Sequence, residues 1–170
     1  MIVRPERDGD QAEIFAVHAA AFGQPAEARL VDALRSTPEW IPELSLVAED
    51  DGVIVGHVLF TRMRVRDGKA VHDALALAPV GVRPHLQNRS IGSQLIREGL
   101  ERARRAGHGV VILLGHPTYY PRFGFVPAGP HGIVYTEPGH EPAFMVAELW
   151  PGALAGVRGV VEYATPFSQL

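Results

Sequence analysis

The sequence contains no cysteine among its 170 residues. This absence excludes disulfide bonds, thiolate metal sites and a cysteine nucleophile, and it is compatible with a reducing compartment. Long apolar runs are also missing, because none approaches the ~20 residues that a transmembrane helix needs. The N-terminal residues lack the apolar core of a secretory signal peptide. The sequence therefore predicts a cytoplasmic protein with no membrane partner.

The chain has little excess of charge of either sign. Its 16 Lys and Arg residues and 19 Asp and Glu residues give a net charge of −3. Nucleic-acid-binding proteins usually carry a strongly basic surface, so no nucleic-acid partner is expected. Hydrophobic residues make up 46% of the chain, which is enough for a sizeable core. We therefore predict a single domain over residues 1–170.

The stretch from Val71 to Val82 is predicted to form a strand with an irregular end. It contains a continuous apolar run, residues 74–78, as expected for a strand that is buried on both faces. Pro79 and Gly81 interrupt this pattern, because proline cannot donate to a ladder and glycine weakens a strand. We therefore expect a bulge or a splayed strand end at this point.

An amphipathic helix is predicted from about Ile91 to about Ala106. Apolar residues recur there at helical spacing, and Gly107 suits the left-handed C-terminal cap. The backbone N–H groups at the start of the helix, with Arg89 beside them, suit a phosphate or a pyrophosphate. An ordinary strand-to-helix connection has the same pattern, so the helix start alone does not identify a ligand.

Further strands are predicted before and after this region. Residues 44–49 and 53–64 form two alternating or apolar runs, joined by an Asp-Asp-Gly turn that indicates a hairpin. Val110 to Leu114 is a short apolar run typical of an interior parallel strand. The helix before it makes a crossover of suitable length, so this strand is expected beside residues 75–82.

Two motifs in the right order resemble the GNAT superfamily of N-acetyltransferases. Residues 80–96 read V-x-V-x-P-x-x-Q-x-x-S-x-G-S-x-L-I, which is similar to the acyl-CoA pyrophosphate loop that follows a valine-rich strand in this family. Residues 115–125, G-H-P-T-Y-Y-P-R-F-G-F, are similar to a segment of the YhbS-like branch. Ser90 stands where the family usually has glycine, so affinity for CoA depends on whether serine fits there.

The resemblance implies the GNAT acyltransferase fold. This is an α/β fold with a mixed, mostly antiparallel sheet, helices on both faces, and a splayed parallel pair of strands at the cofactor site. An extended ligand can enter such a splay by pairing its amides with the exposed backbone groups. The pantetheine arm of CoA has the required amides.

The resemblance also implies that acetyl-CoA is the acyl donor. The splayed strand would offer backbone N–H groups to the thioester oxygen, and the loop after it would hold the pyrophosphate. The residues expected to bind the cofactor are Val80, Gly81, Val82, Gln87, Asn88, Arg89, Ser90, Ile91, Gly92 and Ser93.

Tyr120 is the candidate general acid. It lies four residues before Gly124, which is the spacing of the acid tyrosine in many GNAT enzymes, and a phenol keeps its proton at neutral pH. An aromatic side chain packed beside Tyr119 and Phe123 in the core has the same sequence pattern. Tyr119 is the alternative donor.

The general base is not defined by the sequence. Many relatives carry a glutamate about eleven residues before the loop glutamine, but here that place is Ala76. His116 lies next to the tyrosine pair and titrates in the useful range, although it is equally a candidate turn residue. A neutral amine needs no base. His131 and His140 match no compact metal-ligand spacing with His116, so no metal is expected.

Residues 126–142 are rich in proline, glycine and histidine and are predicted to form a long irregular loop on the substrate side.

His18 and His57 lie among apolar residues, as structural histidines do, although His57 could face a cleft. Residues 150–170 form a C-terminal extension whose apolar part could cover a partner chain in a homodimer.

The sequence therefore predicts an acetyl-CoA-dependent N-acetyltransferase. The amine, a small molecule or a peptide, would attack the thioester directly in a ternary complex. Two alternatives remain open. The domain could bind acyl-CoA or another partner without catalysis, which the serine in the loop and the missing glutamate would fit. It could also be an enzyme that uses another acyl-CoA or an alcohol acceptor, and the small residues near the expected position of the thioester would permit a longer acyl chain.

Overall fold

The structure is a computed structural model that describes all 170 residues. No helix in it is long and apolar enough to cross a membrane. The helices are α1 (Gln11–Phe22), α2 (Ala26–Leu34) and α3 (Ile91–Arg105). The strands are β1 (Ile2–Pro5), β2 (Ser45–Asp50), β3 (Val53–Asp67), β4 (Ala70–Val82), β5 (Val110–Leu114), β6 (Val126–Pro127), β7 (Ile133–Val134), β8 (Phe144–Glu148) and β9 (Gly159–Glu162).

The chain divides into two compact units. The first unit contains residues 1–61, 77–102 and 164–170, and the second contains residues 62–76 and 103–163. The long strands β3 and β4 contribute residues to both, so neither unit is one contiguous stretch of the chain.

In the first unit the strand order is β1-β2-β3-β4. β1 and β2 are antiparallel, as are β2 and β3. Asp50 pairs with Val53, which leaves a two-residue loop of Asp51 and Gly52. Both loop residues have positive φ angles, 52° and 78°. This is the backbone of a tight hairpin turn, so the predicted hairpin is confirmed.

Helices pack on both faces of β3, as the sequence predicts. The imidazole of His57 contacts His18 of α1. On the neighbouring residue, Gly56, a Cβ atom would lie 3.0 Å from the Leu95 side chain of α3. Successive side chains of a strand point to opposite faces, so α1 and α3 lie on opposite sides of β3.

The apolar face of α2 packs with α1 in the core of the first unit. Leu30, Val31 and Leu34 are buried at the helical spacing that the sequence indicates, beside Ile14 and Val17 of α1. A side chain of this size stabilises the fold by about 1.5–3 kcal/mol when it is fully buried.

In the second unit β8 lies between β5 and β6, antiparallel to both. β9 pairs with the end of β3, and β7 pairs with β9 in parallel. The parallel ladder between β4 and β5 is short, with the register pairs Leu75 to Val111 and Ala76 to Ile112. β4 continues to Val82 beyond these pairs. A short ladder of this kind is expected for a splayed pair.

The prediction that residues 126–142 form one long irregular loop is partly wrong. Val126 and Pro127 form β6 on the edge of β8, and Ile133 and Val134 form β7 on β9. The proline and glycine content of the segment predicts a loop. Each of these strands has only two residues and depends on hydrogen bonds to partners distant in the sequence, so composition does not indicate it.

Candidate functional site

The start of α3 leaves backbone N–H groups without an acceptor in the helix. The first helical hydrogen bond runs from the N–H of Gln94 to the carbonyl oxygen of Ser90, at 3.0 Å. The N–H groups of Ile91 and Gly92 precede this bond and have no acceptor within the helix. They carry the positive end of the helix dipole, and Arg89 beside them is exposed. This arrangement suits an anion such as a phosphate group.

The loop before α3 contains two residues in the left-handed region. Asn88 has a φ angle of 63° and Ser90 has a φ angle of 65°. Asparagine tolerates this conformation better than serine does. Ser90 therefore adopts the backbone that the family provides with glycine, at a cost of about 1 kcal/mol.

The end of β4 is held to β3 by backbone and side-chain hydrogen bonds. Arg83 donates its N–H to the carbonyl oxygen of Val55 at 2.9 Å, and its Nε atom donates to the carbonyl oxygen of Ile54 at 2.9 Å. Gln87 donates from Nε2 to the carbonyl oxygen of Val82 at 3.2 Å. The loop is thus tied to the strand that precedes it.

Gly81 is required by a neighbouring imidazole. A Cβ atom at this position would lie 2.7 Å from Nδ1 of His18 and 3.4 Å from Cβ of Ala21, both on α1. Any other residue at position 81 would displace the histidine, since carbon and nitrogen atoms do not approach so closely. Gly81 therefore lets α1 lie directly against the end of β4.

In the second unit Tyr120 begins a short 3-10 turn, Tyr120–Phe123, that ends at Gly124. The Tyr120 ring lies over the backbone of Gly115, where a Cβ atom would be 2.2 Å from the ring. Its edge contacts Phe125, with the ring centroids 5.8 Å apart. Burial, together with the charge of the nearby Tyr119, raises the pKa of Tyr120 to about 12. The phenol therefore keeps its proton at neutral pH.

His116 has an exposed side chain. Its carbonyl oxygen accepts hydrogen bonds from the N–H groups of Tyr119, at 3.0 Å, and Tyr120, at 3.3 Å. The backbone of His116 thus shapes the turn that carries the tyrosines, while its imidazole is accessible to a ligand.

The other candidates of the second unit have the following surroundings. His140 lies 3.5 Å from the carboxylate of Glu137 and contacts the ring of Tyr135, and His131 is exposed. Ala76, which takes the place of the glutamate in the family, is buried. The structure groups no three His, Asp or Glu side chains in an arrangement that could hold a metal ion.

The predicted site residues fall into two groups. The strand end and loop, residues 80–93, belong to the first unit, and His116 and Tyr120 belong to the second. Sequence reasoning missed the contact between His18 and His57, two histidines that it assigned to structural positions. Their spacing of 39 residues carries no local signal.

The sequence profile of the acetyltransferase (GNAT) domain matches residues 3–128. The protein named uncharacterized N-acetyltransferase YhbS of Escherichia coli K12 is 36% identical over 170 residues, which is 99% of each chain. Its relative YjhQ, also named an uncharacterized N-acetyltransferase, is 40% identical over 147 residues, 82% of this chain and 80% of YjhQ.

Two solved structures are similar throughout. The crystal structure of Escherichia coli YhbS in complex with CoA superposes with a TM-score of 0.92 at 35% identity, covering 99% of this chain and 92% of the other. A GNAT family acetyltransferase from Brucella melitensis in complex with acetyl-CoA gives a TM-score of 0.79 at 36% identity, covering 98% of this chain and 97% of the other.

Proposed function

Because this chain belongs to the GNAT acetyltransferase family, we propose that it transfers the acetyl group of acetyl-CoA to an amine. The amine attacks the thioester directly while both substrates are bound. A thioester is already activated, so positioning and electrostatic stabilisation supply much of the acceleration. The observation that carries the proposal is the match to relatives bound to CoA and acetyl-CoA over nearly the whole chain.

The start of α3 is proposed to bind the pyrophosphate of acetyl-CoA. The residues in this role are Gln87, Asn88, Arg89, Ser90, Ile91, Gly92 and Ser93. The N–H groups of Ile91 and Gly92, the helix dipole and the exposed guanidinium of Arg89 all favour a negatively charged group at this position. The positive φ angles at Asn88 and Ser90 give the loop its turn before the helix.

The end of β4 is proposed to bind the pantetheine arm and the thioester. Val80, Gly81 and Val82 follow the part of β4 that pairs with β5, so they lie outside the parallel ladder. Backbone groups in this position can pair with ligand amides or stabilise the oxyanion that forms during attack.

Tyr120 is proposed to protonate the thiolate of CoA as it leaves. Its raised pKa, about 12, means that the proton is present throughout the neutral range. Gly115 provides the space that the ring needs, and Phe125 holds its edge. His116 is one candidate for the proton acceptor, because its exposed imidazole lies on the same turn.

The test measures CoA release from acetyl-CoA over a panel of amines, together with CoA binding by calorimetry. We expect turnover with at least one amine. Tyr120→Phe should lower kcat by about 10²–10⁴-fold and leave CoA affinity within about threefold, because a phenyl ring keeps the packing and loses the donor. Equal inactivity of the wild type and Tyr120→Phe, with normal CoA binding, would support a non-catalytic acyl-CoA-binding domain instead.

A further inference from the structure

A chain of polar side chains runs through the interior of the first unit. Nε2 of His18 lies 2.7 Å from Nδ1 of His57, and Nε2 of His57 lies 2.8 Å from Oγ of Ser45. Ser45 donates its hydroxyl to the carboxylate of Glu6. His18, His57 and Ser45 are each 0% exposed. Arg35 closes the far end, because its Nε atom donates to Glu6 at 2.9 Å.

The carboxylate of Glu6, which accepts from two donors, fixes the direction of every hydrogen bond in this chain. Glu6 accepts from both Arg35 and Ser45, so the hydroxyl proton of Ser45 points at Glu6. Ser45 must then accept from Nε2–H of His57, which leaves the lone pair of His57 on Nδ1. His57 therefore accepts from Nε2–H of His18, and the lone pair of His18 is on Nδ1.

That lone pair is buried and has no hydrogen-bond partner. Nδ1 of His18 is one of the buried side-chain atoms that lack a donor or acceptor. Such an atom costs about 1–3 kcal/mol, so its persistence calls for an explanation. The atom faces Gly81 of β4, next to Val80 and Val82. The ring of Phe22, 41% exposed at the end of α1, stacks against His18 with the ring centroids 6.0 Å apart.

We propose that Nδ1 of His18, rather than the imidazole of His116, is the proton acceptor for the attacking amine. The proposal rests on the acetyl transfer proposed above, and it assigns the base that the sequence leaves undefined. His57 and Ser45 are positioning residues, which hold His18 in the Nε2–H tautomer.

The step is balanced with the groups already named. The amine nitrogen bonds to the acetyl carbon and gives one proton to Nδ1 of His18, while the carbon–sulfur bond breaks. The thiolate takes its proton from Tyr120. Histidine and tyrosine then exchange protons with water, so no further reactant is consumed.

The surroundings of the chain keep both of its histidines neutral. Burial lowers the pKa of His18 to about 4, so Nδ1 is unprotonated throughout the neutral range. Burial, the neighbouring His18 and the charge of Arg35 hold the pKa of His57 well below its usual value, so the second link is neutral. Glu6 is the carboxylate at the end of the chain, and Asp32 pairs with Arg35 at 2.7 Å.

The first test replaces His18 by glutamine. The amide N–H of His18→Gln can still donate to His57, but no basic nitrogen remains. We expect kcat to fall about 100-fold or more, with acetyl-CoA affinity and thermal midpoint close to those of the wild type. His72→Gln, on the partly exposed side of β4, is the matched control and should retain kcat.

The second test measures the tautomers directly. Nitrogen-15 NMR of the imidazoles in the wild type should show protonated Nε2 and unprotonated Nδ1 in both His18 and His57. In Ser45→Ala the acceptor for His57 is lost, so mixed tautomers should appear. The same variant should lower kcat and leave KM unchanged. A general loss of structure would not change kcat alone in this way.

Several results would overturn the proposal. These are a proton on Nδ1 of His18, a His18→Gln variant within about threefold of the wild-type kcat, or a loss of acetyl-CoA affinity and stability in parallel with kcat. A loss of kcat in His116→Gln with none in His18→Gln would assign the base to His116. Wild-type protein that is inactive with every amine removes the proposed function and this inference together, whereas activity in both wild type and His18→Gln removes this inference alone.

Discussion

At three positions the presence or absence of a side chain decides what the residue does. Ser90 adopts a φ angle of 65°, which an L-residue with a Cβ atom disfavours. Gly81 and Gly115 instead provide room for the rings of His18 and Tyr120. The first residue carries backbone strain, and the other two set the positions of proposed catalytic side chains.

Ser90→Gly should stabilise the fold by about 0.5–1 kcal/mol, because glycine adopts the left-handed conformation without steric cost. CoA affinity should stay within about twofold, because the N–H groups of Ile91 and Gly92 and the guanidinium of Arg89 are retained. Urea denaturation and calorimetry measure the two quantities. Asn88→Gly, at a φ angle of 63°, is the matched comparison and should gain less. A large gain in CoA affinity would show that the serine strains the bound state rather than the free one.

Gly115→Ala should displace the ring of Tyr120, because the new Cβ atom would lie 2.2 Å from it. Overpacking of this kind costs about 1–3 kcal/mol, and kcat should fall towards that of Tyr120→Phe. Gly129→Ala is the control, since nothing lies within 4 Å of a Cβ atom there. Thermal unfolding and acetyl transfer should both be unchanged in the control. Normal kcat in Gly115→Ala would contradict the role of the ring position.

Among the secondary-structure elements, α3 is defined at both ends by its own sequence. Gly107 has a φ angle of 93°, and two backbone hydrogen bonds close the helix, from Gly107 to Arg104 at 3.1 Å and from His108 to Ala103 at 3.0 Å. This is a Schellman cap. Along the helix, Arg102 donates to Glu98 at 2.9 Å, as their spacing of four residues predicts.

Gly107→Ala should destabilise the protein by about 1 kcal/mol, because alanine at a positive φ angle brings its Cβ atom too close to the backbone. Gly107→Asn should lose less, since asparagine tolerates this conformation. Thermal or urea unfolding of the three proteins gives the order. Equal stability of all three would mean that the cap does not fix the end of α3.

For the whole molecule, the two buried histidines make stability depend on pH. Burial lowers the folded-state pKa of His18 to about 4, from an ordinary value of 6.5. Below pH 6.5 the unfolded chain binds a proton that the folded chain does not bind, so the free energy of unfolding falls as pH falls from 6.5 towards 4. His18 alone should contribute about 3 kcal/mol to this loss.

Urea denaturation at a series of pH values measures the effect. His18→Gln should flatten the curve between pH 6.5 and pH 4, whereas the exposed His85→Gln should not change its shape. The carboxylate of Asp10 adds a separate decline at lower pH. Burial alone would raise the pKa of Asp10, but hydrogen bonds and charge from Arg4 and Arg7 lower it overall. A wild-type curve that is level down to pH 4 would contradict the buried neutral histidines.

The sequence by itself determined the local elements and the family. Helical periodicity and the glycine at position 107 define α3, the Asp51-Gly52 turn defines the hairpin, and residues 80–96 and 115–125 carry the resemblance. Each of these signals lies within a few residues of the structure that it produces. Local conformational preferences therefore suffice to predict them.

Only the tertiary structure decided which distant residues meet. The two-residue strands β6 and β7 exist because β8 and β9 offer them hydrogen-bonding partners. The contact between His18 and His57, and the link from Ser45 to Glu6, each join residues 39 apart in the chain. No local pattern records such contacts, because they arise when strands pair and α1 packs on the sheet. The same packing places an unpartnered nitrogen of His18 beside Gly81.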